Sequence, residues 1–229
     1  MNYKYCNEKG INKREYYKRR VYALVYTIHH YTGCRTKELL NLKWRHITIN
    51  PNDNAFDRKT NRIVHIPADN SKTGRSRDII APIGQQIERL IRWYREMGLE
   101  VDQKSDNYVF PRLTDTTKNE NIPTSDVAWT KRLKNVLAGA ERDGVIDLNG
   151  RNISNYCARH HHITEAIQRG VDIYDIALNC GTSLNYIEKT YSHITTLMRS
   201  KDITKGLGRQ ATYDPRKDEE YLKATRMGE

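Results

Sequence analysis

Gly181-Thr182-Ser183-Leu184-Asn185-Tyr186-Ile187-Glu188-Lys189-Thr190-Tyr191-Ser192-His193 is the stretch on which the reading of this chain turns. Ser183 is suited to cap a helix, because its hydroxyl can accept from the free N–H groups of a first turn, and that helix carries Tyr191. Beyond about Met198 the sequence turns charged and irregular, as a tail does. Working back towards the N-terminus, the spacing predicts helices near Cys157–Arg169 and Asp172–Leu178, with Gly170 ending the first and Asp172 capping the second. Trp129, Leu133, Val136, Leu137 and Ala140 mark another helix, and the polar run Leu113 to Thr124, which holds Pro123, reads as a loop.

The first half changes period. Val21, Leu24, Val25 and Ile28 form one apolar stripe on a helix from about Lys13 to Tyr31, broken by Thr32-Gly33. A second helix follows, with Leu39 and Leu42 on one side, ending near Trp44. His46 to Ile49, Arg62 to Ile66 and Arg77 to Ala81 are short β-branched segments between Pro, Asn, Asp and Gly clusters, which predicts three strands. Asp69-Asn70-Ser71-Lys72-Thr73-Gly74 is the turn between the last two. A helix from Gly84 to Gly98 then buries Ile87, Leu90, Ile91 and Tyr94. The expected fold is mainly α with a small three-stranded antiparallel sheet, an α+β arrangement.

Composition narrows the function. Lys and Arg number 39 against 28 Asp and Glu, a net charge of +11, which favours a polyanionic partner. No apolar run approaches the roughly 20 residues of a membrane helix, and Met1 to Arg20 lacks the apolar region of a signal peptide. A cytoplasmic location with no membrane partner is expected. Cys6, Cys34, Cys157 and Cys180 form no CxxC pair and read as reduced thiols. The sequence holds no Walker loop, magnesium carboxylate cluster or GxGxxG fingerprint. His160, His161 and His162 invite a metal reading, but consecutive helical residues point about 100° apart and cannot chelate one ion together. No metal and no cofactor are expected.

Three stretches belong together: Tyr31-Thr32-Gly33-Cys34-Arg35-Thr36-Lys37-Glu38-Leu39-Leu40-Asn41-Leu42-Lys43-Trp44, then Cys157-Ala158-Arg159-His160, then the segment around Tyr191. In order and separation they resemble the first arginine box, the second arginine box and the tyrosine box of the tyrosine recombinases, the phage-type integrases, over roughly residues 13 to 195. Taken singly, either arginine reads as a surface or ion-paired residue; the ordered set, with a lysine in the intervening hairpin, reverses that. The resemblance implies a DNA breaking-and-rejoining catalytic fold and a site-specific recombinase that needs no metal. Tyr191 matches the nucleophile, which forms a 3′-phosphotyrosyl link and frees a 5′-hydroxyl. Arg35 and Arg159 match the arginines that stabilise the phosphorane, for which a planar, permanently charged fork is suited.

A phenol with a pKa of about 10 needs help to lose its proton, and two arginines close by are expected to favour phenolate. Lys72 stands where the family places its general acid. Arg75, Arg77, His160 and His193 are the further candidates for contacting DNA. The chain departs from the common pattern at Tyr156, where many members carry His, and at Thr182, where many carry His or Trp after the glycine. Both can still donate to a phosphate oxygen, but tyrosine is a poorer base than imidazole, and the acceptor of the Tyr191 proton stays open.

Residues 1–198 are expected to form the catalytic domain, and 199–229 a C-terminal tail packing on a neighbouring protomer. The expected partners are double-stranded DNA and further copies of the chain, four of them around two duplexes. Only about a dozen residues precede the first core helix, so the family's N-terminal clamp is absent or removed, and a fragment of a longer protein is the favoured reading. Two alternatives stay open: a type IB topoisomerase-like relaxing enzyme, and a non-catalytic DNA-binding regulator on the same fold.

Overall fold

The computed structural model describes residues 12–113 and 121–198, with side chains described as far as Ser192. The expected tail at 199–229 therefore lies outside the described residues. The described residues up to Tyr191 gather into one compact unit, and those from Ser192, the end of a helix, belong to a second.

Helix α1 (Lys13–Thr32) is the spine of the first unit. Asn12 caps it, accepting from the Glu15 amide at 2.8 Å. Its Val21, Leu24, Val25 and Ile28 are all buried, as their spacing predicts. Gly33 ends it in the left-handed region at φ 58°, with its N–H returned to His29 O. A Cβ there would lie 2.3 Å from His162 Cδ2, so both backbone conformation and space demand glycine.

Helix α2 (Thr36–Leu40) is shorter than the expected helix, because Trp44–His46 forms a separate 3-10 turn. Strands β1 (Ile47–Thr48), β2 (Arg62–Ile66) and β3 (Arg77–Ala81) make an antiparallel sheet in that order. Val64 pairs with Ile79 and Ile66 with Arg77, so alternate residues of β2 and β3 turn Val64, Ile66, Ile79 and Ala81 into the core. Between β1 and β2 lies a helix that the periodicity does not announce, α3 (Ala55–Thr60), capped by Asn54.

Helix α4 (Gly84–Glu96) buries Ile87, Leu90, Ile91 and Tyr94 against α1. Each such side chain stabilises the fold by about 1.5–3 kcal/mol relative to exposure. Helix α5 (Asp126–Arg142) buries only Trp129 and Leu133 of the five residues that marked it, and Val136 is 65% exposed. Among the described residues of the expected loop before α5, Pro123 makes an isolated bridge back to Pro111. Helices α6 (Cys157–Gln168), α7 (Ile173–Cys180) and α8 (Leu184–Met198) complete the described chain. Asp172 and Ser183 cap α7 and α8 as expected, accepting from Tyr174 N at 2.7 Å and Tyr186 N at 3.1 Å. Helix α6 packs on α1 and α7, and α7 packs on β3. No helix among the described residues is long and apolar enough to cross a membrane.

Candidate active site

The C-terminus of α7 organises the site. A helix leaves its last carbonyls without intrahelical partners and carries partial negative charge there. Three arginines from three other elements meet those carbonyls. Arg77, at the start of β3, reaches Asn179 O from Nε at 3.4 Å. Arg159, in the first turn of α6, donates from Nη1 to Cys180 O at 2.6 Å and to Gly33 O at 2.8 Å. Arg35, the residue before α2, donates from Nη2 to Gly181 O at 2.7 Å. Segments more than a hundred residues apart in sequence thus converge on Asn179, Cys180 and Gly181. Gly181 closes the helix at φ 64°, and a Cβ on it would lie 2.5 Å from Arg77 Cζ.

Glu38 completes this cluster. Its carboxylate accepts from Arg35 Nη1 at 2.9 Å and the Arg35 amide at 2.9 Å, and from Arg77 Nη1 and Nη2 at 3.2 and 2.7 Å. Burial by itself would raise the Glu38 carboxyl, but the hydrogen bonds and charges of Arg77 and Arg35 outweigh it and hold the group below the ordinary carboxylate range. Glu38 is not among the residues that the sequence marks out. Its only local signal is the spacing Arg35-x-x-Glu38, which reads as an ordinary helix-start pair.

Arg159 is 1% exposed. Its Nη1 is committed to two carbonyls, while its buried Nε has no hydrogen-bond partner among the described residues. A buried guanidinium held by neutral acceptors keeps its full charge, which is what an anion site requires.

Tyr191 is 4% exposed, and its hydroxyl lies 2.5 Å from His160 Nδ1. His160 follows Arg159 on α6, and its ring stands edge-on to Tyr156 with centroids 4.7 Å apart. Tyr186 lies close enough to Tyr156 and to Tyr191 to interact with both electrostatically. Burial first, then Tyr186 and Tyr156, push the Tyr191 phenol well above its ordinary value, with Arg159 pulling the other way. Arg159 thus favours phenolate as expected, but at rest desolvation outweighs it and the phenol stays protonated. Burial, and then Arg159, lower the pKa of His160, which favours the neutral ring. With its proton on Nε2, that ring accepts the Tyr191 hydroxyl hydrogen at Nδ1.

The remaining sequence candidates are more scattered. Lys72 and Arg75 stand exposed in the turn between β2 and β3 and take no part in the hydrogen bonds that join the arginines. Arg77 directs its guanidinium inward to Glu38 and Asn179. Thr182 follows Gly181 directly, its amide returned to Ala177 O at 3.0 Å, so its side chain starts beside the cluster. Tyr156 is partly exposed at the start of α6. The side chain of His193 lies outside the described residues.

The model of the phage integrase family matches residues 4–197. The chain belongs to the phage integrase family. No curated protein matches its sequence. Among solved structures, the XerH site-specific recombinase bound to palindromic difH substrate, a post-cleavage complex, is similar at TM-score 0.56 and 19% identity, over 80% of this chain and 45% of that one. The Tn1549 transposon integrase in complex with transposon right end DNA is similar at TM-score 0.54 and 13% identity, over 81% of this chain and 58% of that one. These likenesses show that the phage integrase chain has the tyrosine recombinase catalytic fold, and that it spans about half the length of the solved chains it resembles.

Proposed function

We propose that the chain is the catalytic part of a site-specific recombinase that cleaves and rejoins double-stranded DNA through a 3′-phosphotyrosyl intermediate on Tyr191. The observation that carries this reading is the 2.5 Å contact of Tyr191 with His160 Nδ1, one residue from the buried guanidinium of Arg159. A nucleophile, an acceptor for its proton and a fixed cation beside them are the parts a metal-free phosphoryl transfer needs.

The scissile phosphate enters between the arginines and Tyr191. Arg35 and Arg159 bind its non-bridging oxygens, and the Arg159 Nε, which has no hydrogen-bond partner among the described residues, is one donor ready for them. His160 takes the proton as the Tyr191 oxygen attacks phosphorus, filling the place that Tyr156 cannot fill as well. Tyr156 and Thr182 donate to the phosphate. The P–O5′ bond breaks, and Lys72 protonates the departing oxygen. The 5′-hydroxyl of a partner strand later attacks the phosphotyrosine, and each proton returns. Phosphoester energy is kept throughout, so no nucleotide is consumed and no cofactor is required. Arg75, Arg77 and His193 contact or position the DNA backbone. Copies of the chain assemble on DNA, four in the synaptic complex, with 199–229 packing on a neighbour, in the cytoplasm.

A nicked suicide duplex carrying the cognate site tests this. Wild type is expected to accumulate a covalent protein–DNA adduct, Tyr191→Phe none, and His160→Ala to form it about 100-fold or more slowly. No adduct with wild type sinks the enzyme reading. An adduct that survives Tyr191→Phe moves the nucleophile elsewhere, and an unchanged rate in His160→Ala removes the histidine from proton transfer.

A further inference from the structure

The three consecutive histidines of α6 part company in the fold. His160 goes to Tyr191, His162 packs against Gly33, and His161 meets a different pair of residues. His161 and Glu165 are one turn apart on α6 and so share a face. His30 of α1 stands opposite. Its Nε2 lies 3.0 Å from one Glu165 oxygen, and His161 Nε2 lies 3.7 Å from the other. The His30 and His161 rings are 4.8 Å apart between centroids and tilted by 34°. One donor atom from each of the three residues falls within 4.8 Å of the others.

We propose that His30, His161 and Glu165 form a binding site for a divalent transition ion of the zinc(II) type, which ties α1 to α6. Two imidazole nitrogens and a carboxylate oxygen are a donor set that zinc accepts. Bonds of about 2.0–2.1 Å in tetrahedral geometry put donor atoms roughly 3.3 Å apart. The 3.0 and 3.7 Å separations, one to each Glu165 oxygen, lie near that value, and side-chain rotation closes the set as a whole, which lies within 4.8 Å, around an ion. The His161 side chain is 64% exposed, which leaves a path for entry and a fourth position for water.

Without the ion, Glu165 is held by His30 and by Arg169, whose Nη1 is 3.7 Å away. Arg169 opposes a second cation, and among the described residues the buried His30 Nδ1 has no hydrogen-bond partner to fix its ring. Both features set the affinity below that of a closed structural site, as suits an ion that comes and goes. The placement gives it a role. Helix α1 leads through Gly33 into Arg35, and α6 carries Arg159 and His160. An ion between these helices steadies the elements that hold the arginines while touching neither arginine nor Tyr191. The site is independent of the proposed reaction.

Zinc titration of the purified chain, stripped with a chelator and kept reduced by a non-thiol reductant, tests the proposal. Calorimetry is expected to show one saturable equivalent, and thermal unfolding a higher Tm with zinc. His161→Ala and Glu165→Gln are each expected to weaken binding by more than the 10- to 100-fold that loss of an outer-shell partner typically brings. Both should unfold like wild type without metal, since His161 is exposed and glutamine keeps the Glu165 shape. His65→Ala, a change at a histidine remote from the site, is expected to bind as wild type does. Cobalt(II) in place of zinc is expected to give a ligand-field spectrum with no thiolate charge-transfer band. A titration without a saturable equivalent, binding unchanged in both ligand variants, or a thiolate band overturns the site.

Discussion

Glu38 is the acidic residue on which two arginines of the cluster depend. It accepts from Arg35 and Arg77 and is itself buried, so its ionisation is linked to folding. Its folded carboxyl is held below the unfolded value, so its contribution is fully present above the unfolded pKa and is lost as pH falls through the folded one. In urea unfolding across the acid range below about pH 4.5, wild type is expected to lose stability more steeply than Glu38→Gln. At neutral pH the variant is expected to be the weaker protein, by roughly 1–3 kcal/mol, because an amide leaves a guanidinium donor unmatched. Parallel acid limbs for the two proteins would remove Glu38 from the linkage. At this scale residue type and order mark Arg35, Arg159 and Tyr191 as candidates in the sequence, and the fold brings Arg35 and Arg159 to one helix end. The Tyr191–His160 contact is not legible there, since it spans 31 residues and depends on how α6 meets α8. The rise of the Tyr191 pKa was misread for a related reason: sequence names the charges near a group but not how far water is removed from it.

Elements with a one-sided apolar pattern were read correctly, as the buried stripes of α1 and α4 show. Helix α3 escaped because it buries nothing: Phe56 is 73% exposed, and only the cap at Asn54 marks it. Helix α5 misled in the opposite sense, since most of its apolar residues lie at or near the surface. The junction of α1 with α2 is the most demanding local geometry. At Gly33, Ala would meet both an unfavourable left-handed backbone and the His162 ring. Gly33→Ala is expected to cost at least 1–3 kcal/mol in urea unfolding. It should also slow adduct formation, because Gly33 O is one of the two carbonyls that hold Arg159. A variant as stable and as fast as wild type would show that the junction tolerates rearrangement.

For the molecule as a whole, the excess of 11 positive charges suits a polyanionic partner, which on the proposed reading is duplex DNA. Each phosphate neutralised releases condensed counterion, so log affinity is expected to fall linearly with log salt, by about 0.9 per duplex phosphate contacted. Fluorescence anisotropy on a duplex at several salt concentrations measures that slope. A slope near zero would mean that the basic surface does not bind phosphate. Charge alone pointed to a polyanion without choosing which; the choice came from the ordered boxes, a whole-chain pattern that no single segment carries.

The acceptors that fasten Arg35, Arg159 and Arg77 at the end of α7 include peptide carbonyls, at Gly33, Asn179, Cys180 and Gly181. Every residue type brings that oxygen. Exchange of the Cys180 or Asn179 side chain therefore leaves the corresponding anchor in place, provided the backbone keeps its path. Much of the neighbourhood is thus free to drift while the guanidiniums stay put. Substitution around the end of α7 is therefore expected to be tolerated wherever the peptide path that presents those oxygens is kept.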